Sequence, residues 1–340
     1  MGEERARRSR LRWLGAGLAA LAVLGLLAYG AASFVVWDVM SAATGECWEK
    51  DLASTPDAFA MPAGFDDAIA EANLMPAPEE VRFASRDPGM AGKELAGWWI
   101  PAARPDAPAV VLVHGVKSCR REANVLLPAG MLHRNGFSVF LMDLRDHGDS
   151  EGDDARFAAG SEEYLDVLGG WDWVREQGVP AERIGLLGLS FGSINAIVAG
   201  GQEPAVAAVW SDSAPTYMDE AIGLFLANEI KDTTGLSKVL VPGAVLWARI
   251  LAGDDLVKFN PIEQVDAYRG RAIAFVHGAM DPALPARFAT ELRDRAIAAG
   301  ATSPDAWVIP NAAHTEGVYN DPAGYERRLV SFFGAALGKP

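Results

Sequence analysis

Residues 188–192 read Gly188-Leu189-Ser190-Phe191-Gly192, a serine between two glycines. The apolar residues 183–187 before this stretch have the length of a buried strand, and the small residues 193–199 after it predict a helix that stops at Gly200. A serine on a tight turn between a strand and a helix presents its hydroxyl above the helix N-terminus. Side chains at the two flanking glycines would collide with the neighbouring backbone. This context favours a nucleophilic serine over a chance match.

A serine hydroxyl needs a base to take its proton, and the base needs a carboxylate that orients it. Residues 271–276 predict another buried strand, and Asp281 lies in the loop that follows it. Residues 306–309 predict a further strand that leads into His314. Ligands of open parallel sheets bind outside the carboxyl ends of the strands. We therefore expect Ser190, Asp281 and His314 to meet at one edge of the sheet.

The chain contains five histidines, and only His314 follows the loop of the acid with a strand between them. His114 and His277 each precede a glycine at a strand end, and we expect them to shape their loops. His147 lies in a predicted turn and His133 in a predicted helix. His314 is therefore the expected base.

The acid has an alternative. Asp212 follows the predicted strand at residues 205–209 and is a possible carboxylate from the neighbouring strand. Asp281 is favoured because its loop directly precedes the strand of the histidine. Both carboxylates therefore remain candidates for the acid, with Asp281 preferred.

Acyl transfer also needs hydrogen-bond donors for the oxyanion that develops in the transition state. One expected donor is the backbone N–H of Phe191, the residue after the nucleophile. The other comes from an earlier loop after a strand, and residues 109–116 form such a strand and turn, with Gly115 allowing close approach. We therefore assign the second donor to the backbone N–H of Val116.

Together these residues resemble the α/β-hydrolase fold serine hydrolases, over residues 81–337 of the chain. A D-x-R-x-H-G-x-S pattern at residues 143–150 adds to the likeness, and it is similar to the prolyl-oligopeptidase-like and serine-aminopeptidase-like branches. The resemblance implies an α/β protein with a doubly wound, mostly parallel sheet and a helical lid insertion at residues 213–264. It implies no cofactor.

The resemblance also implies a reaction. Hydrolysis of an ester or a similar acyl bond through Ser190, His314 and Asp281 is expected, because esters are the commoner substrates of this fold. A serine peptidase of the prolyl-oligopeptidase-like type is the alternative, and it would need a group that holds a peptide terminus. A non-catalytic binding protein with the same fold is the alternative from another class, and it predicts an incomplete set of catalytic residues.

Alternating strands and helices support this fold. An opening strand pair is predicted at residues 81–85 and 95–100, and helices are predicted at residues 122–135 and 162–177. Two helices at residues 219–230 and 239–251 belong to the lid. Six apolar lid residues either line a pocket or pack on the sheet: Phe225, Leu226, Leu240, Val245, Leu246 and Trp247. Three basic residues after the oxyanion loop either attract an acidic substrate or begin a solvated helix: Lys117, Arg120 and Arg121.

The N-terminus indicates a membrane anchor. Residues 1–12 contain five arginines, and residues 13–37 are 25 uncharged residues, long enough to cross about 30 Å of hydrocarbon as a helix. The arginines favour a cytoplasmic N-terminus, a stalk at residues 38–80 and a catalytic domain at residues 81–340 across the membrane. A cleaved signal peptide is the alternative, with small residues near Ala31 for processing. A buried core helix is disfavoured because the segment has no polar face. Twin-arginine export is disfavoured because Arg10 stands where that signal prefers an apolar residue.

The remaining composition excludes several functions. The net charge of −15 becomes more negative without the N-terminal arginines, so the body would be repelled by nucleic acid and by anionic lipid surfaces. The two cysteines, Cys47 and Cys119, have no metal-ligand spacing, and we expect no metal. Cys47 lacks the residues that precede a lipidated cysteine. A bond between the two is disfavoured because one lies in the stalk and the other beside the oxyanion loop. The expected partners are the membrane and a small ester or peptide substrate.

Overall fold

One eight-stranded sheet organises the domain. The computed structural model of the chain describes residues 2–43, 47 and 53–338. In chain order the strands are β1 Glu79–Phe83, β2 Leu95–Ile100, β3 Ala109–Val113, β4 Ser138–Met142, β5 Ile184–Leu189, β6 Ala208–Asp212, β7 Ala272–Gly278 and β8 Trp307–Ile309. Their order across the sheet is β1-β2-β4-β3-β5-β6-β7-β8. β1 pairs antiparallel with β2 and β2 antiparallel with β4, whereas every pairing from β4 to β8 is parallel.

Helices cover both faces of the sheet. In chain order the α-helices are α1 Gly2–Ser41, α2 Asp67–Glu71, α3 Ala123–Arg134, α4 Tyr164–Glu176, α5 Phe191–Gln202, α6 Met218–Glu229, α7 Leu236–Leu251, α8 Pro261–Gln264, α9 Arg287–Ala299, α10 Gly317–Asn320 and α11 Pro322–Leu337. One apolar cluster joins α4, α5, α7 and α9 to the sheet, and a second joins α3 and α11 to the other face. The predicted α/β-hydrolase fold, with its doubly wound, mostly parallel sheet and helical insertion, is confirmed.

The central strands are apolar on both faces because helices cover both sides. All residues of β3 and β5 are buried. A parallel sheet places the carboxyl ends of these strands at one edge, and the loops after β3, β5, β7 and β8 lie there. The first of these loops carries Val116 and the second carries Ser190.

The helix after the serine is longer than predicted. It continues through Gly200 and ends at Gln202. A Cβ atom at Gly200 would lie 2.2 Å from the hydroxyl oxygen of Tyr268. The glycine therefore permits close packing of α5 against a neighbouring segment, and the prediction that it stops the helix was wrong.

The N-terminal helix α1 is 40 residues long. Its segment Arg7–Ser41 is long and apolar enough to cross a membrane. Side chains at residues 4, 5 and 7–28 are exposed, whereas several from Tyr29 to Ser41 are partly or fully buried. Arg156 pairs with Asp38 at 2.7 Å and stacks on the ring of Trp37. The C-terminal third of α1 is thus part of the folded body.

Part of the predicted stalk has regular structure. The short helix α2 lies within it. Residues 44–46 and 48–52 of the predicted 38–80 segment lie outside the described residues. The same holds for Met1 of the basic segment and for the last two residues of the 81–340 domain. Cys47 forms a disulfide with Cys119, with Cα atoms 5.2 Å apart. The expectation that these cysteines stay apart was wrong, because the chain after α1 returns to the loop that follows β3.

Candidate active site

The turn between β5 and α5 holds Ser190 in a backbone conformation that is uncommon for a residue with a side chain. Its φ is 54° and its ψ is −114°, and non-glycine residues adopt such angles only where the surroundings enforce them. A Cβ at Gly188 would lie 2.2 Å from the carbonyl oxygen of Gly192, and a Cβ at Gly192 would lie 2.2 Å from that of Val113. Both flanking positions therefore require glycine.

Three side chains from separate loops meet at this turn. The hydroxyl oxygen of Ser190 lies 2.7 Å from Nε2 of His314, and Nδ1 of the same histidine lies 2.6 Å from Oδ2 of Asp281. His314 is partly exposed, whereas the side chain of Asp281 is buried. With the Nδ1 proton donated to the carboxylate, Nε2 is free to accept the serine proton. This geometry would allow Ser190 to act as a nucleophile, His314 as its base and Asp281 as the orienting acid.

The carboxylate of Asp281 is held in its charged form. Its Oδ1 accepts hydrogen bonds from the backbone N–H groups of Ala283 and Leu284, at 2.8 and 2.9 Å. Nε2 of His277 lies 3.0 Å from Oδ2. Burial opposes ionisation, but hydrogen bonds from His277 and His314 outweigh it and lower the pKa of Asp281 below its ordinary value. A buried acid that stays ionised can stabilise a protonated His314.

Asp212, the alternative acid, has other partners. Its Oδ2 accepts a hydrogen bond from the hydroxyl of Tyr325 at 2.8 Å, and its Oδ1 accepts one from the hydroxyl of Ser213 at 2.9 Å. Burial raises the pKa of Asp212. The backbone carbonyl of Asp212 accepts the N–H of Ser190 at 2.8 Å. Asp212 therefore stabilises the turn that carries Ser190 through its backbone carbonyl.

The loop after β3 lies against the serine. A Cβ at Gly115 would be 3.5 Å from the Cβ of Ser190, so the residue before Val116 packs against the serine turn. The next residue, Lys117, has a φ of 53°, and its N–H donates to Nε2 of His147 at 3.1 Å. The N–H of Phe191 is the first of helix α5 and has no carbonyl partner within its own helix.

Two histidines brace this loop, and sequence reasoning assigned them only general loop and turn roles. Nε2 of His114 accepts the N–H of Leu144 at 3.1 Å, and its Nδ1 contacts the carbonyl of Gly115 at 2.6 Å. Burial lowers the pKa of His114 to about 3 and also lowers the pKa of His147. Both rings are therefore neutral at neutral pH, as their accepting nitrogens require. His133 lies in helix α3, as predicted, where its partly exposed side chain is near the carbonyl of Pro101.

The polar residues of the D-x-R-x-H-G-x-S pattern are engaged inside the fold. Asp143 pairs with the buried Arg120, and the hydroxyl of Ser150 donates to the carbonyl of Asp143 at 2.7 Å. Arg145 pairs with Asp166 at 2.8 Å. The pattern thus anchors the loops around the site. Arg120 was predicted to recruit substrate or lie in solvent, and it does neither because its guanidinium is buried.

The lid contributes apolar side chains near the histidine. The ring of Phe225 on α6 lies 6.4 Å from the ring of His314, edge to face. Leu226, Leu240 and Val245 are buried in the core, whereas Leu246 is exposed. Three of the six apolar lid residues named in the sequence therefore pack as core, and Phe225 packs against His314.

Across the described ranges, no group of three or more His, Cys, Asp and Glu side chains has an arrangement that could hold a metal ion. The side chains that meet at the turn are those of Ser190, His314 and Asp281. The chemistry that they can supply is nucleophilic attack, proton transfer and orientation of the base.

Comparison with known proteins agrees with this reading of the fold. The sequence profile of the hydrolase family described as serine aminopeptidase, S33, matches residues 104–243. That segment contains Ser190 and ends before Asp281 and His314. No curated protein sequence matches the chain significantly.

Several solved structures are similar. An esterase of Pyrococcus furiosus superposes with a TM-score of 0.62 at 20% identity, over 84% of this chain and 98% of the esterase. An acylaminoacyl peptidase of Pyrococcus horikoshii superposes with a TM-score of 0.56 at 20% identity, over 81% of this chain and 44% of the peptidase. A puromycin-hydrolyzing peptidase of Mycobacterium tuberculosis superposes with a TM-score of 0.58 at 16% identity, over 79% of this chain and 40% of the peptidase. The chain has the α/β-hydrolase fold and resembles the serine aminopeptidase and prolyl-oligopeptidase-like branches.

Proposed function

We propose that the chain is a membrane-anchored serine hydrolase that cleaves carboxylic esters through an acyl-enzyme intermediate. The observation that carries the proposal is the unbroken hydrogen-bonded series from the Ser190 hydroxyl through His314 to Asp281, with spacings of 2.7 and 2.6 Å. A binding protein that had lost catalysis would have no need to keep all three groups in register. The uncommon backbone angles of Ser190 support the same conclusion.

The reaction follows from the geometry. The oxygen of Ser190 attacks the acyl carbonyl while Nε2 of His314 takes its proton, and Asp281 stabilises the imidazolium that forms. The backbone N–H groups of Phe191 and Val116 bind the oxyanion. Collapse of the tetrahedral intermediate releases the alcohol, which receives the proton from His314. Water then attacks the acyl-enzyme by the same steps in reverse order and regenerates the free serine.

The substrate preference of the proposal is an ester. Phe225 beside His314 and the partly buried Phe157, whose ring lies 5.4 Å from Phe191, give the site an apolar border. An apolar border suits an acyl chain, whereas a peptidase would need a polar group that holds a peptide terminus. The test is a panel of p-nitrophenyl esters and aminoacyl or peptidyl p-nitroanilides. Esters are expected to be cleaved, and a higher kcat/KM for the anilides would overturn the ester assignment.

The proposed location is across the membrane from the cytoplasm, with α1 retained as the anchor. The disulfide between Cys47 and Cys119 supports an oxidising compartment, where such bonds persist. The hydrogen bond from Nε1 of Trp247 on α7 to the carbonyl of Gly30 supports retention, because cleavage near residue 31 or 33 would remove it. Intact-mass analysis of the protein from the membrane fraction tests this. The full-length mass is expected, and a mature N-terminus near residue 31 or 33 would contradict it.

A further inference from the structure

The lid helix α7 has one face that is apolar and exposed. Five side chains recur along it at helical spacing and form what is here named the α7 stripe: Leu236, Val239, Pro242, Leu246 and Ile250. Three of its aliphatic members, Val239, Leu246 and Ile250, are 57%, 56% and 61% exposed. Side chains spaced by three and four residues share one face of a helix. A water-soluble lid would place polar residues on that face.

The α7 stripe lies beside the anchor. Nε1 of Trp247 donates to the carbonyl of Gly30 at 2.9 Å, and its ring lies 5.6 Å from that of Phe34. A Cβ at Gly243 would lie 2.3 Å from the hydroxyl oxygen of Ser33. The two helices therefore touch at backbone distance, where a glycine permits it. On the helical circumference of α7, Gly243 and Trp247 adjoin the exposed stripe.

The length of the anchor fixes the depth of this contact. Arg12 is the last charged residue before the apolar segment, and charged side chains remain outside the hydrocarbon. About 30 Å of hydrocarbon takes about 20 helical residues, so a span that begins at Trp13 ends near Ala32. The contacts of α7 with Gly30 and Ser33 fall at that boundary. A lid helix attached there cannot lie far from the bilayer surface.

The apolar packing continues from the anchor to the active site. Trp37 of α1, Leu240 and Val245 of α7 and Phe191 beside the nucleophile belong to one cluster of buried side chains. The lid and the serine turn therefore share one apolar core with the end of the anchor.

We propose that the α7 stripe lies in the surface of the bilayer that the anchor crosses, so that the hydrolase takes acyl esters held in that bilayer. This rests on the proposed serine hydrolase function and adds its substrate class. Exposed aliphatic side chains at helical spacing are the signature of a helix lying in a membrane interface. The partner is the headgroup and upper acyl region of lipids. Lys238 flanks the stripe at its edge, where a cation meets lipid phosphates.

The position of the stripe is tested by depth-dependent quenching. The full-length protein is reconstituted in phosphatidylcholine and phosphatidylglycerol vesicles after single NBD labelling at Leu246→Cys, Leu18→Cys or Ile297→Cys without reductant, so that the native disulfide stays closed. Leu18 reports the anchor and is 68% exposed, and Ile297 on α9 is a matched apolar control that is 50% exposed. The carbonyl of Gly300, just after Ile297, accepts the N–H of Gly270. Gly270 precedes β7 whereas Asp281 follows it, so Ile297 lies near the end of β7 that is opposite the active site.

Lipids with a spin label near the headgroup are expected to quench the label at residue 246 at least about twofold more than the label at residue 297. Equal quenching at both positions would overturn the proposal, and this is also the outcome if a second copy of the chain covers the stripe. An unquenched label at residue 18 would overturn the anchor and the stripe together.

The substrate class is tested with two esters of one fluorogenic alcohol, a long-chain ester in vesicles and a water-soluble butyrate. The double variant Leu246→Gln/Ile250→Gln is expected to lower the ratio of vesicle-ester to butyrate turnover by about tenfold, whereas Ile297→Gln is expected to leave it unchanged. An unchanged ratio in the double variant would overturn the proposal. If wild type cleaves neither ester, the hydrolase function itself fails, while the quenching result still reports the position of α7.

Discussion

Nε2 of His277 lies 3.0 Å from the same Oδ2 atom of Asp281 that contacts Nδ1 of His314 at 2.6 Å. Two histidines therefore share one carboxylate oxygen, and only His314 reaches the serine. Nε2 of His277 also lies 3.0 Å from the carbonyl of Leu284, so its N–H can bridge both oxygens. We infer that His277 is a positioning residue that fixes the loop of the acid.

Replacing His277 should therefore impair catalysis through Asp281. His277→Phe removes the donor, and a misplaced acid is expected to lower kcat by about 10- to 100-fold with little change in KM. His277→Gln can still donate and should recover part of the loss. Steady-state kinetics with a soluble ester measure both, with His133→Phe at a partly exposed position of α3 as the control. Equal kcat for wild type and His277→Phe would remove His277 from the account.

His147 should act on the oxyanion loop. It accepts the N–H of Lys117, one residue after Val116. His147→Phe leaves that N–H without its partner, and a displaced oxyanion donor is expected to lower kcat by about 10- to 100-fold. The pKa of His147 is lowered by burial, so its accepting nitrogen stays unprotonated from neutral pH down to below its ordinary value. Kinetics of His147→Phe and His147→Gln check this. A rise in KM alone would show that the ring acts elsewhere.

The disulfide should stabilise the domain. Cys47 and Cys119 are 72 residues apart in sequence. In the chain-entropy model, closing a loop of that length raises the free energy of the unfolded state by about 4 kcal/mol. The double variant Cys47→Ser/Cys119→Ser should unfold at a lower temperature than wild type, and reductant should lower the Tm of wild type only. Differential scanning fluorimetry with and without dithiothreitol measures this. Insensitivity of wild type to reductant would contradict a closed bond.

Glu163 should make stability depend on pH. Its carboxylate is buried, and burial raises the pKa from 4.5 to about 7 despite hydrogen bonds from the N–H groups of Ala158 and Gly160. Between those values the folded state holds a proton that the unfolded state has lost, so this group makes the free energy of unfolding fall as pH rises. Glu163→Gln cannot ionise, and its Tm should fall less than that of wild type between pH 5 and pH 7.5. Parallel pH profiles for the two proteins would show that Glu163 is charged throughout.

Most of the fold could be predicted from the order of strands and helices along the chain. Apolar runs that end in turn residues predicted the strands, because a parallel sheet covered on both faces needs continuous apolar strands. The strand after α5 starts at Ala208 instead of residue 205, since apolar character alone does not mark where pairing begins. The same ordering led to Ser190, Asp281 and His314, because each follows a strand at the same sheet edge.

Other contacts depend on how loops and helices meet, and the sequence does not encode that locally. Arg120 looks like a solvent-facing residue until Asp143 is placed beside it by the loop after β4. The pairing of Cys47 with Cys119 joins segments that are distant in sequence. The packing of Gly243 on Ser33 needs the lid and the anchor to be in place first. Each of these is a tertiary contact between separately predicted elements.

The most direct test of the central claim is covalent labelling of the full-length protein with a fluorophosphonate, read by peptide mass spectrometry. The account predicts one adduct per chain on Ser190, no adduct in Ser190→Ala, and wild-type labelling in Ser331→Ala, which replaces an exposed serine on α11. His314→Gln should slow labelling by about 10⁴-fold or more, because the serine loses its base. Absence of labelling in wild type, or equal labelling of Ser190→Ala, would contradict the assignment of this chain as a serine hydrolase.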